Sequence, residues 1–248
     1  MLAHDTVTPD VETASEDYAR RFAGSIGRYF LETQAEAVLQ LLAAAGPGPL
    51  QVLEVGGGHA QLTPALLQAG YEVCVQGSAP ACGDRLAPLG AAHPGRLRFV
   101  TSDLWTLPFP ERAFDAVIAV RLLAHVERYE ELLAEMARVS RRVLIVDYSP
   151  LISANLLEPA MFAIKRRLEG NTRPFFCYRT PQVRGPLERA GFERFRLKRQ
   201  FFLPMVLHRV LRRRPVSAAL ESACRGMGLT ALLGAPALLS AERPPATG

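Results

Sequence analysis

Short apolar runs alternate with longer stretches of helical spacing over residues 50–146. The first run, LQVLEV from Leu50 to Val55, is too short and too β-branched for a helix, and Gly46, Pro47, Gly48 and Pro49 punctuate its start. It predicts a buried parallel strand. Tyr71–Val75, Leu97–Val100, Ala116–Val120 and Arg142–Val146 predict four more. Helical spacing fills Gln61–Ala69, where Pro64 is tolerable because it falls in the first turn, and Glu127–Val139, through Leu132, Leu133, Met136 and Val139. Beyond Pro150 the rhythm changes. Ser153–Glu169 predicts an inserted helix closed by Gly170 and Asn171; Thr180–Ala190 predicts a helix, and Phe192–Phe201 and Pro236–Arg243 predict two late strands. A helical connection over 203–233 separates those strands and is long enough to suggest a functional or packing addition. Strands alternating with helices predict an α/β fold with a mainly parallel sheet, whose ligands bind outside the carboxyl ends of the strands.

The amino-terminal stretch is less regular. Residues 1–14 read as a flexible lead-in, and Ser15, followed by Glu16 and Asp17, caps a short helix running to about Ala23. Gly24 and Gly27 predict a bend before a longer helix from about Tyr29 to Ala45. Tyr18, Phe22, Tyr29 and Phe30 either dock this helical cover on the sheet or close over a ligand. The expected organisation is one domain over 15–243, with a cover at 15–45, insertions at 151–178 and 203–233 that shape a substrate pocket, and a flexible tail at 244–248.

Composition narrows the function classes. With 248 residues, 49% of them hydrophobic, the chain can bury a large core. The formal charge of +5 is carried almost entirely by dispersed arginine, lysine occurring only at Lys165 and Lys198, a bias that argues against a nucleic-acid partner. The runs Lys165–Arg167 and Arg212–Arg214 are candidates for an anionic substrate or membrane surface, against the simpler reading of solvated helix faces. Cys74, Cys82, Cys177 and Cys224 form no CxxC pair and no zinc spacing, so no metal is expected and the thiols read as reduced. No apolar run reaches the roughly 18 residues of a membrane span, and the polar, acidic start is unlike a signal peptide. The expectation is a cytoplasmic protein, monomeric or homodimeric.

The candidate chemistry gathers at the predicted strand ends. Gly56, Gly57 and Gly58 lack Cβ atoms, so the backbone can turn with positive φ and let a ligand approach; His59 sits in the same turn. Strand, glycine turn and helix make a nucleotide-binding arrangement. Gln76, Gly77 and Ser78 end the second strand, Asp103 follows the third, and Asp147 and Tyr148 end the fifth.

In this order and spacing, VLEVGGGHA (52–60), Ser78, SDLWTLPFPERAFDAVIAVRLLAHV (102–126) and ELLAEMARVSRRVLIV (131–146) resemble the class I S-adenosylmethionine-dependent methyltransferases. In particular they resemble the broad group of small-molecule enzymes that includes the ubiquinone and menaquinone methyltransferases. The resemblance covers about residues 15–150, with 179–197 matching only as a pattern. It implies a Rossmann-like, mainly parallel seven-stranded sheet with helices on both faces and an antiparallel last strand. It also implies S-adenosylmethionine as methyl donor and S-adenosylhomocysteine as product. Carried over by position, Glu54 orients the cofactor through its amino group or bound water, and Gly56 and Gly58 allow close approach, with Ala60 in the third glycine place. Gly57, His59, Gly77 and Ser78 neighbour the cofactor, Asp103 and Leu104 hold the adenine, backbone carbonyls at Arg121 and Leu122 hold the methionyl amine, and Tyr18 is a candidate cover. One departure stands out: Gln76 occupies the place of the acid that usually grips both ribose hydroxyls. An amide can donate and accept, but it lacks the charge of a carboxylate. The missing acid also argues against a dinucleotide dehydrogenase.

Methyl transfer from a sulfonium is an in-line displacement for which alignment supplies much of the acceleration. A hydroxyl or acidic-carbon acceptor also needs a base. His125 is the candidate by position, against the simpler role of local packing, and Asp147 and Tyr148 lie beside the expected acceptor site or anchor its loops. Tyr178 and Arg179 are secondary candidates. The expected activity is O- or C-methylation of a small, apolar or aromatic metabolite, quinone- or natural-product-like. The alternatives are an RNA or protein methyltransferase, and a cofactor-binding protein without catalysis.

Overall fold

The computed structural model describes residues 8–46, 50–153 and 175–244. Most of the first expected insertion, including Lys165–Arg167 and Gly170, lies outside the described residues, as do 1–7 and the end of the tail. Five strands, β1 (Gln51–Val55), β2 (Glu72–Gly77), β3 (Leu97–Thr101), β4 (Phe114–Ala119) and β5 (Ser140–Pro150), follow the predicted order. A two-residue strand β6 (Cys177–Tyr178), then β7 (Arg194–Phe201) and β8 (Ala235–Glu242), complete an eight-stranded sheet in the order β3-β2-β1-β4-β5-β8-β7, with β6 paired to β5 off that path. Strands β1 to β5 pair in parallel, whereas β8 runs antiparallel between β5 and β7. This is a Rossmann-like α/β fold.

Helices α1 (Pro9–Thr13), α2 (Glu16–Arg20) and α3 (Gly24–Ala44) precede the sheet, and α4 (Thr63–Gln68), α5 (Ala87–Ala92) and α6 (Tyr129–Val139) connect its parallel strands. After β6 come α7 (Thr180–Arg189), α8 (Met205–Leu211), α9 (Arg214–Gly226) and α10 (Leu229–Leu233), the last three filling the 203–233 connection. Successive strand residues face opposite sides, so Leu53, Val117 and Leu144 join Leu132, Leu133 and Met136 of α6 in one apolar layer. Val52, Ile118 and Ile145 join Val38, Leu42 and Leu66 in the other. Each such buried side chain contributes about 1.5–3 kcal/mol.

Three sequence expectations are corrected. Pro9–Thr13, inside the stretch read as a flexible lead-in, is helical, with Asp10 fully buried. Gly27 does not interrupt α3, which runs unbroken through 21 residues. It is a close-approach position, since a Cβ there would lie 2.1 Å from the Phe22 carbonyl oxygen. Strand β5 extends to Pro150, beyond the expected end at Val146, because β8 pairs with Asp147 and Tyr148 and β6 with the last two residues. All four cysteines are free. Among the described residues no helix is long and apolar enough to cross a membrane, and no cluster of three metal-ligating side chains occurs.

Candidate functional site

The strand order reverses between β1 and β4, and in such sheets ligands bind outside the carboxyl ends at that switch point. The chain leaves β1 through Gly56, whose φ of 65° lies in the left-handed region, into a single 3-10 turn over Gly57–His59. Gly56 also has no room for a Cβ: it would meet Leu122 Cδ2 at 2.9 Å and Asp10 Cβ at 3.3 Å. At Gly58 a Cβ would lie 2.7 Å from that of Cys82. The glycine turn is therefore pressed from above by α1 and from the side by the segment after β2.

Two buried ionisable groups flank this turn. The Glu54 Oε2 accepts from the Thr63 hydroxyl at 2.7 Å, and burial pushes the carboxyl up to about 7 despite that bond and the Arg121 charge. The His59 Nδ1 accepts from the Gln61 N–H at 3.1 Å, which places the proton of the neutral ring on Nε2. Burial holds this imidazole down at about 3, so it is neutral. Its Nε2 lies 3.9 Å from Glu54 Oε1, and neither atom has a hydrogen-bond partner.

At the end of β2, the fully buried Gln76 uses both ends of its amide. Its Oε1 accepts from the Gly56 N–H at 3.1 Å and its Nε2 donates to the Ser102 carbonyl at 2.7 Å. A carboxylate could not make both bonds, because it has no donor. Gly77 closes the strand, and the Ser78 N–H donates to Asp10 Oδ2 at 2.6 Å. The other Asp10 oxygen and the Ser78 hydroxyl are buried without partners. After β3, Asp103 Oδ1 accepts from the Trp105 and Thr106 N–H groups at 2.7 and 2.6 Å, while Leu104 is fully buried in the core.

Arg121 follows β4 with φ 59°, and its N–H donates to Asp147 Oδ1 at 2.6 Å. Its guanidinium bonds to Gln61 and lies 4.6 Å from the Phe22 ring centre. Asp147 Oδ2 accepts from Gln34 Nε2 at 2.8 Å, and burial pushes this carboxyl up to about 6 against the Arg121 N–H and charge. Asp147 thus braces α3 to the turn after β4. Tyr18 is buried on α2, where burial raises its phenol above the ordinary range and the charges of Arg121 and Asp147 act on it. Tyr148, next along β5, packs in the opposite layer, with its hydroxyl 2.7 Å from that of Thr180. The structure therefore does not bring Asp147 and Tyr148 to one point. His125 sits in a 3-10 turn, Leu123–His125, half-buried with its ring edge-on to Phe175 at 5.6 Å.

Residues 53–143, from β1 into β5, match the family model of a methyltransferase domain. Over those residues the chain is similar to a methyltransferase domain. A search of the curated proteins finds no match to it. Among solved structures, a magnesium protoporphyrin IX methyltransferase from Synechocystis PCC 6803, with bound S-adenosylhomocysteine, is 19% identical and superposes with a TM-score of 0.63 over 92% of this chain and 94% of its own. A putative sarcosine dimethylglycine methyltransferase from Galdieria sulphuraria is 14% identical, with a TM-score of 0.55 over 84% and 83%. The [4+2]-cyclase SpnF is 19% identical, with a TM-score of 0.56 over 84% and 81%. At these identities the likeness is one of fold.

The match to the methyltransferase domain begins after α1–α3, so it omits the cover that presses on the glycine turn. Asp10, Gln34 and Thr63 are the contacts that the sequence reading missed. Thr63 carried a usable signal, lying nine residues after Glu54 at the start of the helix that follows the turn. A cavity of about 320 Å³ lined by Leu50, Gln51, Glu72, Asp115 and Arg141 lies at the opposite, amino ends of the strands. There Arg141 pairs with Asp115 at 3.0 Å, a bracing contact remote from the domain's glycine turn.

Proposed function

We propose that this methyltransferase transfers the methyl group of S-adenosylmethionine to an oxygen or carbon of a small, apolar or aromatic acceptor, quinone- or natural-product-like. One observation carries the cofactor assignment: Glu54 Oε1, His59 Nε2, Ser78 Oγ and Asp10 Oδ1 are buried without partners around one left-handed glycine turn. Buried polar atoms lacking partners are costly, and a polar ligand at that place relieves them.

In this reading Glu54 and the turn at Arg121 and Leu122 hold the methionyl end. Gly56, Gly57, Gly58 and His59 line the close approach, Gln76, Gly77 and Ser78 frame the ribose, and Asp103 and Leu104 hold the adenine. When bound, S-adenosylmethionine supplies a sulfonium methyl group ready for displacement. The protein orients the partners and keeps water out, with Tyr18 and Phe22 of the amino-terminal cover over Arg121. His125, outside the buried Asp147 network, takes the acceptor proton. The segment 203–233 shapes the acceptor pocket, so exchanging it alters acceptor choice while cofactor affinity stays.

Calorimetry with S-adenosylmethionine and S-adenosylhomocysteine tests the cofactor reading, which is wrong if neither binds. His125→Ala should lower turnover by roughly 10²- to 10⁴-fold with cofactor affinity unchanged; full activity removes the base assignment. The similarity to a protein described as a [4+2]-cyclase favours a second reading, in which the same fold binds the cofactor without transferring its methyl group. Binding with no methyl transfer to any of a panel of phenols and quinols would favour it.

A further inference from the structure

Asp10 is a fully buried acid on a short helix that the methyltransferase-domain match does not include. We propose that Asp10 supplies, from α1, the carboxylate that accepts hydrogen bonds from the ribose hydroxyls of S-adenosylmethionine, a role that Gln76 leaves open. The proposal rests on the cofactor reading above.

Gln76 is committed elsewhere. Its amide ties the Gly56 N–H to the Ser102 carbonyl, so it acts as a strut between the turns after β1 and β3. Asp10 reaches the same strand end from outside the sheet. Its Oδ2 takes the Ser78 N–H at 2.6 Å, its Cβ lies 3.3 Å from where a Gly56 Cβ would be, and the Cys82 sulfur is 3.9 Å from Oδ2. The Thr13 hydroxyl donates to the Asp10 carbonyl at 3.1 Å and stiffens the helix that carries it.

That geometry leaves Asp10 Oδ1 and the Ser78 hydroxyl buried and unpaired on two residues already joined by a hydrogen bond. A vicinal diol has two O–H donors and two acceptor oxygens. It can donate to the carboxylate and accept from the serine, satisfying both atoms at once. Hydrogen bonds to an ionised acceptor are the strong kind, so the carboxylate that the strand end lacks is replaced in chemistry as well as in place.

The test is calorimetry on the full chain with S-adenosylhomocysteine and with its 2′-deoxy and 3′-deoxy analogues. Asp10→Asn keeps the shape and the acceptor for Ser78 but removes the charge; Asp10→Ala removes both. Each should weaken S-adenosylhomocysteine by roughly 10- to 100-fold, the range for a hydrogen bond to a charged group. In the wild type at least one deoxy analogue should bind more weakly than the parent, and in Asp10→Ala that penalty should vanish. A penalty that persists in Asp10→Ala overturns the proposal, because Asp10 then acts only through packing. So does affinity equal to or above that of the wild type, which would make α1 a plug that the cofactor displaces. Wild-type chain that binds no S-adenosylhomocysteine overturns the cofactor reading itself, whereas wild-type binding with unaltered Asp10 variants overturns only this step. Asp10→Asn with an unchanged ligand-free unfolding midpoint separates the result from misfolding.

Discussion

Among the described residues, two histidine–glutamate pairs lie buried, and they differ in almost every other respect. At the carboxyl end of β1, His59 Nε2 and Glu54 Oε1 face each other at 3.9 Å and both lack a hydrogen-bond partner. Beneath α3, His208 of α8 and Glu221 of α9 meet at 3.1 Å, and Glu221 also accepts the Phe202 and Leu203 N–H groups at 2.9 Å each. Phe30 and Phe201 stack edge-on to the His208 ring at 5.5 and 5.8 Å. Both oxygens of Glu221 are engaged, so this pair fastens the 203–233 connection to the end of β7. Residue type and burial are equal in the two places. What separates the two pairs is whether the carboxylate keeps an oxygen without a donor.

The sharpest way to break that comparison is Glu221→Ala. Removing one partner of a buried network strands the other polar groups, so stability should fall by about 3–5 kcal/mol in denaturant unfolding. A loss below ~1 kcal/mol would show that Glu221 is no brace.

The next effect is a pH dependence of nearly that size. Burial raises Glu54 from an ordinary 4.5 to about 7, so between those values the folded protein holds a proton that the unfolded chain has released. Its contribution is complete below about 4.5 and is lost as pH rises through 7. Relative to Glu54→Gln, the ligand-free wild type should lose about 3 kcal/mol of stability between pH 4.5 and 8. His59 works oppositely: its lowered value makes its contribution complete above 6.5 and lost as pH falls towards 3, which is why the comparison with the Gln variant is needed. A difference that stays flat across this range would contradict the burial of Glu54.

Glu54→Ala sharpens the contrast further. It should weaken S-adenosylhomocysteine by about 2 kcal/mol, roughly 30-fold, in calorimetry while the 203–233 region keeps its protection in hydrogen exchange. Equal loss of protection in both regions would dissolve the distinction. The smallest effect belongs to Gln76→Glu, which sets a carboxylate against the Ser102 carbonyl and should cost about 1–2 kcal/mol of stability. No cost would mean that the strut is dispensable.

How much of this was legible before folding varies by residue. The parallel strands and the glycine turn were, because Val52, Leu53 and Val55 carry their own apolar pattern and Gly56 to Gly58 announce a turn. Gln76 was located by spacing, yet its partners, Gly56 N–H and the Ser102 carbonyl, are backbone atoms brought together only by strand pairing. Asp147 and Tyr148 were grouped as one pair although adjacent strand residues face opposite layers, a signal that was available in the sequence. Asp10 had none, being one acid in a polar stretch read as flexible. The His208–Glu221 brace was equally hidden, since its partners come from separate helices across a turn.

The place of β8 has a consequence for synthesis. It follows both β5 and β7 in the chain, yet it lies between them and bonds to both. Until Ala235–Glu242 pairs, β5 offers Val143–Tyr148 as an open edge and β7 lacks its strand partner. Nascent chains in that interval carry two unpaired strand edges, the surfaces that capture other chains. The pairing of β8 therefore closes both edges in one step.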